Sequence, residues 1–272
     1  MADELSLADR TFQGIDILEA GLDALCKNNC EAQELIAPRR TEIISLLCAY
    51  ITEIETHNQA LSLVGTDDRQ ELIQRHILDS LAPLGLFCRL LQERCALKPK
   101  RSTDCPHPVP AVRLRIADIG SGAGLPGIPL AIALPFIDFS LIECKGRRAG
   151  FLRIIQQALG LSNVTVIEDE LEKYAHRLIT NDQRNANLFD LITFRAFKPL
   201  DAKIMKSLLR LCVPGGAIAA YKGRRKKIDA ELAALEHGVA HNKKLQWRRC
   251  EVIPCPTPLL AEERHIVAIV TP

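Results

Sequence analysis

Apolar residues keep a helical period through the first third of this 272-residue chain. From Thr41 to Glu55 they recur as Ile43, Ile44, Leu47, Tyr50, Ile51 and Ile54, which predicts a helix with one buried face. After a break at 61–65, Asp67 and Asp68 offer caps to a second helix running through Leu72, Ile73, His76, Ile77 and Leu81 toward Leu91. Residues 1–30 read as a further helical extension, and the first ninety residues show little sign of a strand. The character changes at 98–110, where four prolines stand among polar residues. Such a segment cannot offset its ordering entropy by burial, which predicts a surface insertion or linker.

From Arg113 onward the period alternates between strand and helix. Strand candidates lie at 114–118, 138–143, 164–167, 189–194, 216–221 and 265–270, with helical patterns at 147–159, 171–179, 200–211 and 228–235. This alternation predicts an α/β fold, a doubly wound sheet with helices on both faces. The last strand has no helix after it and suits an antiparallel edge hairpin with the segment before it. The division expected is a helical extension over 1–30, a helical region over 31–112 ending in the proline-rich insertion (92–112), and a Rossmann-like domain over 113–272.

The stretch with the clearest chemistry follows the first strand, Asp118-Ile119-Gly120-Ser121-Gly122-Ala123-Gly124-Leu125-Pro126-Gly127. An acid closing an apolar run, a glycine-dense turn and a helix start make the unit that holds a nucleotide-like cofactor at the carboxyl edge of a parallel sheet. A dinucleotide fingerprint places glycine first, third and sixth, and the sixth position here is Leu125, which disfavours a nicotinamide-dependent oxidoreductase. Glu143 ends the second strand, where a carboxylate can accept ribose hydroxyls. The third strand is followed by Glu168-Asp169-Glu170-Leu171-Glu172, an acidic helix start or a wall for an adenine ring. The fourth ends at Phe194-Arg195-Ala196-Phe197. After the fifth come Lys222, Arg224, Arg225, Lys226 and Lys227, five cations in six residues. Charge runs are usually solvated, but beside a cofactor cleft this one suits phosphates. Lys243, Lys244, Arg248 and Arg249 around Trp247 are candidates to extend it.

Composition narrows the picture little. A net charge of +2 means that any nucleic-acid surface must be a local cluster. No apolar run reaches membrane length, and the acidic start is unlike a signal peptide, so a cytoplasmic protein is expected. The ten cysteines include no Cys-x-x-Cys pair, so reduced thiols are expected and no metal.

Several short runs together resemble one family. Arg75-His76-Ile77-Leu78-Asp79-Ser80, the run from Asp118 to Leu130, Arg195-Ala196-Phe197, Tyr221-Lys222-Gly223 and Glu263-Arg264-His265 are similar, in order, to the bacterial small-subunit ribosomal RNA guanine-N7 methyltransferases, also called glucose-inhibited division protein B. The likeness covers about residues 40–272 apart from the insertion. It implies a class I fold using S-adenosyl-L-methionine. The cofactor would meet Gly120, Leu125, Leu171, Glu172 and Arg195, with Asp118, Gly122 and Gly124 completing the turn and Glu143 at the ribose. It further implies a guanine of 16S rRNA, within the small ribosomal subunit or a precursor, as acceptor, and a monomeric enzyme. Guanine N7 carries a lone pair and no proton, so no general base is required. Glu170 stands where relatives often have arginine, and Ser62 where they often have asparagine. The rival from another class is a non-catalytic RNA-binding protein that kept the fold.

Overall fold

The computed structural model describes residues 7–96, 113–180, 188–239 and 245–272. The proline-rich run at 98–110, and Lys243 and Lys244, lie outside them. The chain begins with helices α1 (Leu7–Asn28), α2 (Cys30–Ile36) and α3 (Arg40–Leu61). Asn29 caps α2 by accepting the Ala32 amide at 2.9 Å. The predicted stripe on α3 is buried at Ile43, Leu47, Tyr50, Ile51 and Ile54. Leu18, Leu22 and Leu25 of α1 are buried in the same cluster, so this helix packs into the core. Gly21 permits the approach, since a Cβ there would meet Leu78 Cδ1 at 2.2 Å.

The second predicted helix runs unbroken from Arg69 to Leu81, with a π turn inside it. Asp68 caps α4 (Arg69–Leu72), a π-helical turn spans Ile73–Leu78, and α5 (Asp79–Leu81) follows. Pro83 then interrupts the run before α6 (Leu84–Ala96), because it has no amide to continue the ladder.

The second part alternates β1 (Arg115–Ile119), α7 (Gly127–Ala133), β2 (Asp138–Glu143), α8 (Gly146–Ala158), β3 (Val164–Glu168), α9 (Leu171–Thr180), β4 (Phe189–Arg195), α10 (Ala202–Leu211), β5 (Cys212–Lys222), α11 (Arg225–Val239), β6 (Arg249–Pro254) and β7 (His265–Val270). Among the described residues the strands form one sheet in the order β3-β2-β1-β4-β5-β7-β6. β1 to β5 are parallel; β7 runs antiparallel between β5 and β6, the expected hairpin with β6 outermost.

Alternate strand residues feed two cores, as a two-sided sheet requires. Ile116, Phe139, Leu141 and Leu191 face α1–α8, whereas Ala117, Ile142, Ile192 and Ile218 face α9–α11. Parallel pairing brings the carboxyl ends of β1 to β5 to one edge, and His265, opposite Lys222, joins them there. No helix among the described residues is long and apolar enough to cross a membrane.

Candidate functional site at the carboxyl edge of the sheet

The glycine turn leaves β1 with three residues at positive φ: Gly120 at 68°, Gly122 at 60° and Gly124 at 97°. Side chains enter this region only with strain. The three glycines have different surroundings. A Cβ on Gly124 would lie 2.6 Å from Ile128 Cγ1, so this glycine serves packing. One on Gly120 would lie 2.6 Å from Phe197 Cδ2, whose ring covers it. One on Gly122 would meet nothing nearer than 3.8 Å. Gly122 is thus the open face of the turn, where a ligand can approach the backbone.

Asp118 is fully buried beneath the turn. Its Oδ2 accepts the Gly127 amide at 2.9 Å, while Oδ1 has no hydrogen-bond partner. Burial pushes this carboxyl up to about 7 against the pull of the Gly127 amide. Glu143 is buried as well: Oε2 accepts the Gly122 amide at 2.9 Å and Oε1 the Lys145 amide at 2.8 Å. The carboxylate therefore steadies the open glycine and keeps unused lone pairs at the strand end. Leu125 lies buried behind the turn. Leu171 is also buried, so only its backbone is left to meet a ligand. Glu172 lies within 3.5 Å of Lys203 Nζ and 3.8 Å of Lys198 Nζ. Partial burial raises its pKa, but its own amide and the two lysines outweigh that and leave it below the usual value.

Ala196 takes φ 50°, an uncommon conformation for a residue with a Cβ. It separates two side chains with different tasks. Phe197 goes to Gly120, while Arg195 goes to the helical region. There Arg195 Nη1 donates to Asp79 Oδ2 at 3.1 Å and to the Arg75 carbonyl at 2.9 Å, and Nη2 donates to His76 Nδ1 at 2.8 Å. Burial and the Arg195 charge lower the His76 pKa to about 4, so the imidazole is neutral near pH 7 and accepts that bond. Asp79 Oδ1 accepts from Thr257 Oγ1 at 2.8 Å and from Arg264 Nε at 3.0 Å. Nearby, Tyr221 Oη donates to the Ser80 carbonyl at 2.6 Å. Four of the five short runs singled out in the sequence thus meet around one buried carboxylate.

Past β5 the basic run splits. Lys222 is only 15% exposed and pairs with Glu231 at 2.7 Å. Glu231 also receives the Leu200 amide at 2.6 Å. The Arg225 side chain pairs with Asp229 at 2.7 Å. Arg224, Lys226 and Lys227 are exposed and line a cleft of about 1110 Å³ with Arg75 and Arg264. Arg248 and Arg249 do not extend this patch. Arg249 sits opposite Val270, which pairs with Ala217, whereas Lys222 pairs with His265. That offset puts Arg249 about 16 Å down the strands, toward the other edge of the sheet.

Three contributors were not singled out by sequence reasoning. Tyr50 Oη donates to the Ala123 carbonyl at 2.7 Å, tying α3 to the turn. Arg148 donates to the Ser62 carbonyl at 2.7 Å and stands nearest the open side of Gly122. Asp79 appeared only inside a run. The i, i+3 spacing of His76 and Asp79 was a signal for it, since it puts both on one helical face.

A model of a family described as "rRNA small subunit methyltransferase G" matches residues 103–254. Relatives called ribosomal RNA small subunit methyltransferase G include one from Treponema pallidum, 36% identical over 85% of this chain and 86% of its own length. Another from Treponema denticola is 32% identical over 85% and 87%. A third, from Stenotrophomonas maltophilia, is 33% identical over 83% and 86%. The signature runs that meet at Asp79 and the glycine turn belong to a chain alike along most of its length, and this protein is a member of the rRNA small subunit methyltransferase G family.

Proposed function

We propose that this chain transfers a methyl group from S-adenosylmethionine to N7 of one guanine in 16S rRNA, in the small subunit or a precursor of it, as a cytoplasmic monomer. Family membership makes it an S-adenosylmethionine-dependent rRNA methyltransferase; the acceptor atom is argued from chemistry. The observation that carries the reading is one edge bearing an open, positive-φ Gly122 over a buried Asp118 oxygen that lacks a partner.

These residues suit the cofactor. Gly122 gives backbone access, Glu143 keeps acceptor capacity for ribose hydroxyls, and the backbone at Leu171 and Glu172 is the wall for adenine. Gly120, Gly124 and Leu125 shape the turn, and Arg195 closes the edge toward the acceptor. When bound, S-adenosylmethionine supplies an electrophilic methyl group on a sulfonium. The protein's part is to align the acceptor nitrogen with that methyl and to exclude water. Guanine N7 has no proton to remove, so no base is called for. Among the described residues no thiol at this edge is a ready thiolate either: burial pushes Cys255 up to about 12 and also raises Cys144, while Cys212 opens β5 at the opposite edge. Arg224, Lys226 and Lys227 would grip RNA phosphates, while Lys222 and Arg225 hold the cleft wall through Glu231 and Asp229.

The test supplies purified protein with radiolabelled S-adenosylmethionine and 16S rRNA or small subunits lacking the modification. Label should enter one guanine, at a position where N7-specific chemical cleavage then occurs. Transfer to no rRNA substrate, or to another base atom, would reject the proposal.

A further inference from the structure

The basic cleft after β5 is already partly filled by the protein's own acids. Both stand on the loop between β6 and β7. Glu262 pairs with Arg75, and Glu263 Oε2 accepts the Arg225 amide at 3.0 Å. Arg225 opens the 15-residue helix α11, so its amide is one of the donors that the helix itself leaves unpaired. An oxyanion is the natural partner of such a donor among cations. Arg224, Lys226 and Lys227, in the same cleft, have no ion-pair partner among the described residues. A carboxylate therefore sits at each of two places where a phosphodiester would be favoured.

The loop is held at both ends and largely exposed between them. Thr257 and Arg264 both bond to Asp79 Oδ1. Between them Leu259 takes φ 60° with 49% of its surface exposed, and Ala261, Glu262 and Glu263 are exposed. The acids can swing aside without releasing either anchor. The Arg75–Glu262 pair is 42% and 40% exposed. Exposed pairs of this kind shift an equilibrium by no more than about fivefold. That is weak enough for RNA to displace and large enough to measure.

We propose that this cleft seats two phosphodiesters of the RNA substrate, and that Glu262 and Glu263 hold those anion positions until RNA replaces them. The inference rests on the rRNA reading above and specifies where the backbone of that substrate lies.

The experiment compares the full chain with its E262Q/E263Q variant by filter binding to an unmodified 16S rRNA transcript over a salt series. An E93Q/E251Q variant is the charge-matched control, because those acids pair with Arg249 toward the opposite edge. The cleft variant should bind about five- to twentyfold tighter at low salt, converging with the parent at high salt as the charges are screened. The control should bind like the parent, and thermal melts should show both variants folded. Unchanged or weaker binding by the cleft variant, or equal tightening in the control, would overturn the proposal. Methyl transfer by the parent chain tests the function separately. RNA affinity does not require transfer, so failure of one is distinguishable from failure of the other.

Discussion

Gly122→Val separates the fold of the glycine turn from its use. The nearest atoms to a Cβ at Gly122 are Arg148 Nη1 and the Gly120 carbonyl oxygen, both 3.8 Å away, so the new side chain meets ordinary contact distances. The cost to folding is conformational, since φ there is 60°. A left-handed residue with a Cβ costs about 1–2 kcal/mol, and stiffening the unfolded chain returns about 0.4–1 kcal/mol. The net loss of up to about 2 kcal/mol is modest against the ~5–15 kcal/mol that holds a typical domain together. In a chain of this size the melting temperature should fall by less than about 8 °C. Cofactor binding should suffer far more, because the valine methyls occupy the space through which the ligand reaches the Gly122 backbone. We expect at least a hundredfold weaker binding, about 2.7 kcal/mol, by isothermal titration with S-adenosylmethionine. Gly124→Val is the contrast. Its Cβ would lie 2.6 Å from Ile128 Cγ1 and 3.1 Å from both Leu152 Cδ2 and Tyr50 Oη, so overpacking of about 1–3 kcal/mol adds to the backbone strain. A cooperatively melting Gly122→Val protein with parental cofactor affinity would refute the open-face argument.

Three further outcomes follow from the same geometry. Asp79→Ala leaves Arg195 and Arg264 without their shared carboxylate and should destabilise the protein by about 3–5 kcal/mol in denaturant melts; a loss under 1 kcal/mol would show that the network is dispensable. Burial raises Asp118 from 3.8 to about 7, so folding takes up a proton between those values. Its contribution to stability is full below about pH 4 and is lost as pH rises through 7; parallel melting curves of parent and Asp118→Asn from pH 5 to 8 would contradict this. Replacing Arg224, Lys226 and Lys227 together by alanine should weaken rRNA binding and flatten its log–log salt dependence by about 2–3, and an unchanged slope would move the RNA surface elsewhere.

Regular elements were legible where one period ran unbroken. β1, β2, β4, β7 and the second half of β5 are largely buried runs because helices cover both their faces. β6 was legible only as the unplaced partner of the last strand, because it is an edge strand whose residues are exposed or half-buried and no face of it is consistently apolar. The π turn inside the second helix left no trace in the apolar spacing, since one inserted residue shifts the phase by about 100°, no more than the width of the stripe. Among site residues, Asp118, Gly122 and Glu143 were readable because neighbouring strand ends and one turn bring them together. Charge pairing was not. The run from Lys222 to Lys227 looks uniformly basic in sequence, yet Lys222 is paired with Glu231, nearly two helical turns into α11. The misplacement of Arg248 and Arg249 has a topological cause: β6 pairs antiparallel with β7 and so runs in the same sense as β1 to β5, which puts its first residue at the amino edge of the sheet.

The helical first part of the chain is best understood as a wall of the site. Three of its contacts reach the sheet edge from separate elements: Tyr50 on α3 to the Ala123 carbonyl, the Ser62 carbonyl to Arg148, and Asp79 on α5 to Arg195 and Arg264. The Tyr50 and Asp79 contacts satisfy buried polar groups whose loss of a partner would be costly, whereas the Arg148–Ser62 bond is exposed. The carboxylate of Asp79 accepts from β4's last residue and from the β6–β7 loop at once, so the cofactor edge and the basic cleft share one anchor. A glycine turn on a parallel sheet needs no such support; the run from Arg75 to Ser80 accounts for why this sheet binds its edge to a helical wall, since it supplies the groups that tie the end of β4, the end of β5 and the β6–β7 loop into one frame.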